Sequence, residues 1–367
     1  MEPNVQIDFL ANGSAQGAVA NMAIHQGSLN VGAMRPYIGK DGRAYMTVYK
    51  GGDPKSPTSY ATSTININAT LRRDEWKALD EAILPIAESR LNGIQDLISN
   101  GLTYNLGNAM GTTVLEYHDI SDAMEADMTM DGVSRGKGDR PVFTHHYLPI
   151  PIIHVDYEIN ARVLAASRSM GNPLDTTSAE RAARKVAEKL EKMLFTNTDY
   201  TFGGGTIYSY LNHPDINILT LGGHWDDYAN STSDSVGQKV LDDVIAMKQE
   251  AINHYFYGPY MLYIPTAYET ILDKDFSTEN PGITIRERIL KVDGIKGVKV
   301  IDTLTANNVL LVQMTSDVVR LVRGLGIQNV QWDTEGKFVT KFKVLTIQVP
   351  QIRSDANGNC GIVLSTK

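Results

Sequence analysis

Cysteine is almost absent. Cys360 is the only one in 367 residues, so no intrachain disulfide can form and the fold must hold without covalent staples, as suits a reducing compartment. Basic charge is also scarce: 34 Lys and Arg stand against 42 Asp and Glu, a net charge of −8. The field of the whole chain therefore repels nucleic acid and acidic membranes, which argues against sequence-specific DNA binding. Long apolar runs are missing. The most apolar stretch, residues 147–155, holds two prolines and is far too short to cross a bilayer. The first ten residues carry Glu2 and Asp8 without a basic patch ahead of an apolar run, so they do not read as a secretory signal. A chain made and used in the cytoplasm, or released by lysis, is the expectation.

Catalytic motifs are wanting too. Residues 132–138 hold three glycines and Lys137, but the spacing is too short for a phosphate-binding loop, and Gly138 stands where a magnesium-binding hydroxyl is needed. Gly203-Gly204-Gly205 lacks the strand and helix context of a dinucleotide fingerprint. His145 and His146 are adjacent on a predicted strand that also carries His154, and neighbours on a strand point to opposite faces. They read as interface or surface histidines and not as a metal site. Cys360 has no neighbouring histidine to activate it. The expectation is a chain with no catalytic, cofactor-binding or metal-ligating residues, and so not an enzyme.

What is present is ordinary globular material. Hydrophobic residues make up 42%, enough for a sizeable core, and the length suits two or three domains. Tyrosine is the enriched aromatic, 17 against 8 Phe and 3 Trp; Tyr255, Tyr257, Tyr260 and Tyr263 should divide between core and surface.

Residues 1–70 are rich in Gly, Asn, Ser and Thr and read as an extended arm with one alternating run, residues 44–50. A helix is predicted from Leu71, with Trp76, Leu79, Ile83, Ile86, Leu91, Ile94 and Leu97 on its apolar face, a kink at Pro85 and a stop at Asn100-Gly101. Residues 116–141 interleave Asp122, Glu125, Asp127 and other acids with Arg135, Lys137, Arg140 and glycines. They offer no core face, and so long a coreless segment in a compact domain is usually functional. Residues 142–155 read as a strand confined by Pro149 and Pro151 to an edge or bend. Thr177 and Glu180 form a capping-box pair ahead of an alanine-rich stripe running from Ala179 to Leu194. A second lobe begins near Gly222, with helices near residues 236–251 and 283–292 and strands at 261–264, 298–301 and 309–314. Residues 326–332 and 338–349 flank a turn at residues 333–336; Lys341 and Lys343 make the second strand half-polar, which places it at an edge or interface.

This series of elements resembles the major capsid proteins of tailed bacteriophages, the Hong Kong 97 fold, and in detail the encapsulin (linocin-type) branch. The likeness rests on the helix from Arg72 to Ala82 running into Arg90-Leu91-Asn92-Gly93, on residues 155–162 leading toward the long helix, on Gly258-Pro259-Tyr260, and on Val319-Arg320-Leu321-Val322-Arg323-Gly324. It implies an α+β capsid fold: an N-terminal arm (1–70), a peripheral domain (71–115 and 142–222) with a spine helix, an extended loop over a neighbouring subunit (116–141), an axial α/β domain (223–314) and closing strands (315–367). It further implies a major capsid protein that self-assembles, as hexamers and pentamers, into an icosahedral shell around double-stranded DNA. The shell would be built in the host bacterial cytoplasm and end in the virion capsid.

The expected partners are other copies of the chain, a portal, and, where the shell needs them, separate scaffolding or cement proteins. Contact with packaged DNA should be weak and non-specific, and no membrane is involved. Asp122, Glu125, Asp127, Arg135, Lys137, Arg140, Lys341 and Lys343 are the candidate inter-subunit contacts. Encapsulins begin close to the first helix, whereas about 65 residues precede it here. That arm favours a virus over the alternative, an encapsulin-type compartment enclosing a cargo enzyme. Some members of this fold crosslink a loop lysine to a distant asparagine; Lys137 has no identifiable partner, and no crosslink is expected.

Overall fold

The computed structural model describes residues 35–50, 56–65, 71–89, 92–107, 109–120, 128, 130, 143–170, 176–229, 236–277, 282–335, 338–355 and 357–366. Residues 1–34 of the arm and nearly all of the polar loop lie outside that set.

Where the arm is described, it is more than an extended strap. β1 (Tyr37–Ile38), β2 (Ala44–Tyr49) and β3 (Tyr60–Ile65) join β4 (Leu71–Arg72) in a sheet of order β3-β2-β1-β4. Gly42, at φ 76°, takes the left-handed position that closes the β1–β2 turn, and Thr, Tyr and Ile suit the pleated strands. The sheet is tied down by Trp76, whose Nε1 donates to the Pro36 carbonyl at 3.0 Å. Arg35 lies 4.6 Å over the Trp76 ring and pairs with Asp80 at 2.7 Å.

Because Leu71 and Arg72 pair with β1, the helix starts later than the periodicity indicates. α1 (Arg73–Ser89) runs through Pro85, and the apolar pattern continues on a separate helix, α2 (Asn92–Ser99). The predicted stop holds: Leu102 N–H bonds to the Leu97 carbonyl and Gly101 N–H to that of Ile98, with Gly101 at φ 71°. This is a Schellman cap, and its two flanking leucines are buried.

β5 (Thr103–Asn105) follows, then β6 (Val114–Ile120), β7 (Phe143–Pro149) and β8 (Ile153–Asn160). The break between β7 and β8 falls where Pro149 and Pro151 required it. After α3 (Ala161–Met170) comes the alanine-striped α4 (Thr177–Phe195). Thr176, not Thr177, is its N-cap residue, and the Thr176 hydroxyl bonds the Glu180 carboxylate at 2.6 Å without capping a backbone N–H. The stripe itself, from Ala179 to Leu194, is buried. Its small side chains let α4 lie close against α1, β8 and the closing strands.

β9 (Thr201–Phe202) and β10 (Gly205–Thr206) form a small hairpin turned by Gly203 and Gly204, both at positive φ, which accounts for the glycine triplet. The remaining elements are β11 (Asn217–Thr220), α5 (Trp225–Ala229), α6 (Val236–Asn253), β12 (Tyr260–Pro265), α7 (Glu269–Leu272), α8 (Ile285–Leu290), β13 (Ile295–Ile301), β14 (Val309–Gln313), β15 (Val319–Glu335), β16 (Val339–Ile352) and β17 (Ile362–Thr366). α8 carries a full capping box, Thr284 Oγ1 accepting from Glu287 N–H and the Glu287 carboxylate accepting from Thr284 N–H. Thr284→Ala is expected to lower stability by about 1 kcal/mol, read as a shift of the urea unfolding midpoint.

Two larger sheets organise the chain. The first has the order β5-β15-β16-β8. It places β16 inside and not at an edge, because its lysines are matched across the strands: Lys341 lies opposite Glu158, and Lys343 opposite Asp156. The second has the order β11-β17-β14-β12-β13. It therefore reaches beyond residues 223–314, drawing β11 from before that span and β17 from far after it.

The central strands of this second sheet, β12 and β14, are buried on both faces. Met261, Tyr263, Leu310 and Val312 point into the core built on α4. Tyr260, Leu262, Ile264, Val309 and Leu311 point into a second core with α6 and α8. Strands covered on both sides read as continuous apolar runs. The tyrosines divide as expected, Tyr260 and Tyr263 buried, Tyr255 and Tyr257 exposed.

Candidate functional site

The polar loop is bracketed by a two-stranded antiparallel ribbon. Residues 116–120, which read as the start of the loop, are instead part of β6, paired with β7 from Val114↔Pro149 to Ile120↔Phe143. The hydroxyl, aromatic and histidine residues at 143–147 have strand propensity and supply β6 with a partner. The ribbon is anchored at its base by buried Leu148 and Ile150 and by a close approach of Gly205, where a Cβ would meet the Tyr147 carbonyl oxygen at 2.0 Å. No side chain larger than hydrogen fits there.

Alternation gives the ribbon two unlike faces. On the inner face Tyr117 stacks on His146 at 5.2 Å, and His146 Nε2 lies 2.8 Å from the nearly buried Asp119 carboxylate. Burial raises the Tyr117 pKa and lowers that of nearby His213, favouring the neutral imidazole. The outer face carries Glu116, His118, Phe143, His145 and Tyr147. His145 Nδ1 lies 2.7 Å from Glu116 Oε1, and the His118 and His145 rings meet edge-to-face at 4.4 Å.

Asp122, Glu125, Asp127, Arg135, Lys137 and Arg140 lie outside the described residues. Lys343 pairs within the chain, its Nζ 3.5 Å from Asp156. Lys341 sits in register between Glu158 and Asp333. The structure thus places these two lysines on one strand, β16, remote in sequence from the loop. Burial pushes the Cys360 thiol up to about 12, which keeps it protonated.

A second polar cluster joins α4 to the five-stranded sheet. Glu191, on the apolar stripe of α4, accepts from the N–H groups of Gly93 (2.8 Å) and Ile94 (3.4 Å) at the start of α2. Three residues further along α2, buried Asp96 accepts from the Tyr263 hydroxyl of β12 at 3.0 Å and pairs with Lys299 of β13. Burial pushes Glu191 up to about 7, against the lowering effect of the two backbone donors. Sequence reasoning missed this cluster. The available signal was a carboxylate four residues after Ala187 and three before Leu194, on the apolar stripe of its helix.

A spine helix packed on a sheet with a long β15–β16 ribbon, a mixed five-stranded lobe and a strand pair bracketing a polar loop make up the Hong Kong 97 capsid fold. The chain is similar to the virus-like particle protein of Pyrococcus furiosus, with a TM-score of 0.57 and 18% identity over 79% of this chain and 98% of that one. It is also similar to the capsid of Myoviridae phage XM1, with a TM-score of 0.55 and 11% identity over 73% of this chain and 90% of that one. No curated protein matches the sequence. The chain belongs to the family described as a family of unknown function (DUF6260), which matches residues 66–365.

Proposed function

We propose that the chain is the major capsid protein of a tailed bacteriophage, a structural and non-enzymatic subunit that assembles into an icosahedral shell around double-stranded DNA. The observation that carries this reading is the fold, matched across nine-tenths of a phage capsid chain. In this reading residues 1–70 are the arm, residues 71–115 and 142–222 without β11 the peripheral domain, and residues 116–141, which begin on β6, the loop that reaches a neighbour. Residues 223–314 with β11 and β17 are the axial domain, and the rest of 315–367 closes the peripheral sheet. Asp122, Glu125, Asp127, Arg135, Lys137 and Arg140 meet neighbouring subunits, and the coreless loop then finds between chains the burial it lacks within one. Lys341 and Lys343 join them through whatever donor capacity their in-chain carboxylates leave.

Assembly takes place in the host cytoplasm with a portal and, where needed, scaffolding or cement proteins, and the product is the virion capsid. A net charge of −8 suits a container that must hold DNA without gripping it. Durability comes from many modest contacts multiplied by symmetry.

The likeness to the Pyrococcus furiosus virus-like particle favours a second reading, a compartment enclosing a cargo enzyme. Negative-stain electron microscopy of the purified chain should show closed megadalton particles, and deletion of residues 122–138 should leave monomers or capsomers. Normal shells from the deletion would overturn the role given to the loop, and a small discrete oligomer from the intact chain would overturn both readings. Particles with protein cargo and no DNA would decide for the compartment.

A further inference from the structure

We propose that Glu116, His118 and His145 form a binding site for one divalent transition-metal ion of the zinc class, on the outer face of the β6–β7 ribbon. One potential ligand atom from each residue lies within 4.8 Å of the other two, and this is the only such group of His, Cys, Asp or Glu among the described residues. The register makes the arrangement. His118 is directly opposite His145, and Glu116 lies two residues before His118 on the same strand, so alternation brings all three to one face. The argument against a metal at His145 and His146 does not apply here, because the second imidazole comes from across the ribbon and not from the adjacent residue.

The geometry is close to what an ion requires. Bonds of about 2.1 Å at tetrahedral angles separate ligand atoms by about 3.4 Å. The 2.7 Å contact between His145 Nδ1 and Glu116 Oε1 therefore needs to open slightly, and any separation nearer the 4.8 Å limit to close by side-chain rotation. Both side chains are about half exposed and can rotate without disturbing a core.

Two imidazoles and one carboxylate match zinc, cobalt, nickel or copper, whereas calcium and magnesium prefer all-oxygen shells. Three protein ligands leave a fourth position open to water or another donor. The inner face offers no rival: His146 and Asp119 supply two ligands, and His146 is held under the Tyr117 ring. An ion here would tie the two strands together where they lead into residues 121–142, adding a crosslink to a ribbon whose loop end has little core of its own. The proposal depends on the ribbon alone and stands whether or not the chain forms shells.

The test uses the full chain titrated with Co²⁺ as a spectroscopic probe. One equivalent should bind with the visible absorption of a nitrogen- and oxygen-ligated cobalt site, be displaced by Zn²⁺, and be unaffected by excess Mg²⁺ or Ca²⁺. His118→Ala and His145→Ala should each weaken binding about tenfold or more, and Glu116→Gln should do so to a similar degree. His154→Ala, which removes an exposed histidine on β8, should leave binding unchanged. Circular dichroism checks that the variants remain folded; their exposed positions predict that they do. Absence of saturable Co²⁺ binding to the intact chain would overturn the proposal. So would undiminished binding by a folded His118→Ala/His145→Ala double variant.

Discussion

Phe342→Ala is expected to destabilise the chain by about 3–5 kcal/mol, the cost of removing a fully enclosed aromatic ring and leaving a cavity that its neighbours cannot close. Phe342 has no exposed surface. Its ring meets Trp76 of α1 edge-on at 5.7 Å and stacks on Tyr157 of β8 at 5.3 Å. Tyr157 is fixed from its other end, because its hydroxyl accepts from Asn329 Nδ2 of β15 at 2.7 Å. One side chain on β16 thus sits between the first helix and two further strands of the sheet, so its loss loosens several contacts together. Urea unfolding followed by tryptophan fluorescence measures the effect. Phe338→Ala is the control: that ring is 74% exposed, and its removal should change stability by no more than about 0.5 kcal/mol. Equal effects at the two positions would contradict the packing described.

The second large effect concerns pH. Glu191 is pushed up to about 7 by burial, from a reference of 4.5. Between those values the folded chain keeps a proton that the unfolded chain has released, so stability falls as pH rises through the window. The contribution is fully present below about 4.5 and is lost above about 7, amounting to roughly 3 kcal/mol. Glu191→Gln removes the titrating group and keeps an acceptor for the start of α2. Urea midpoints of the unassembled chain at pH 5 and pH 8 should therefore show a smaller fall in the variant than in the parent. The parent–variant difference separates Glu191 from its neighbours Asp96 and Lys299, which are present in both proteins. Parallel pH profiles would exclude Glu191 as the source. Since this carboxylate ties α2 to α4, and Asp96 ties the same helix to β12 and β13, the pH response acts at the seam between the spine helix and the five-stranded lobe.

The features legible in the sequence are those whose cause is local. The alanine stripe of α4 has helical period and gave the helix directly. The strands of the second lobe announced themselves as apolar runs, and Gly101 marked the end of α2. The order of these elements carried the resemblance to a capsid fold, which the structure bears out. What escaped notice depends on pairing across distance. Lys341 and Lys343 suggested a strand at an edge or interface because their partners, Glu158 and Asp156, lie on β8. Glu116 and His118 sit 29 and 27 residues from His145, and only strand register brings them together. The cap of α4 fell at Thr176 within a run of three good cap formers, Asp175-Thr176-Thr177, that local rules cannot rank. The sheet in the arm was underestimated for a related reason: β1 and β4 are two residues each, too short to show a period, and only the pairing of Tyr37 and Ile38 with Leu71 and Arg72 joins them into a sheet.

β17 gives the chain a constraint in time. β11 meets the five-stranded sheet only through β17, with Asn217 opposite Val363, and β17 also pairs with β14. Residues 362–366 leave the ribosome about 50 residues after β14, at ordinary elongation rates several seconds later. Until they arrive, β11 has no partner strand and β14 has an open edge. A growing chain therefore cannot present a finished lobe, however early its helices form.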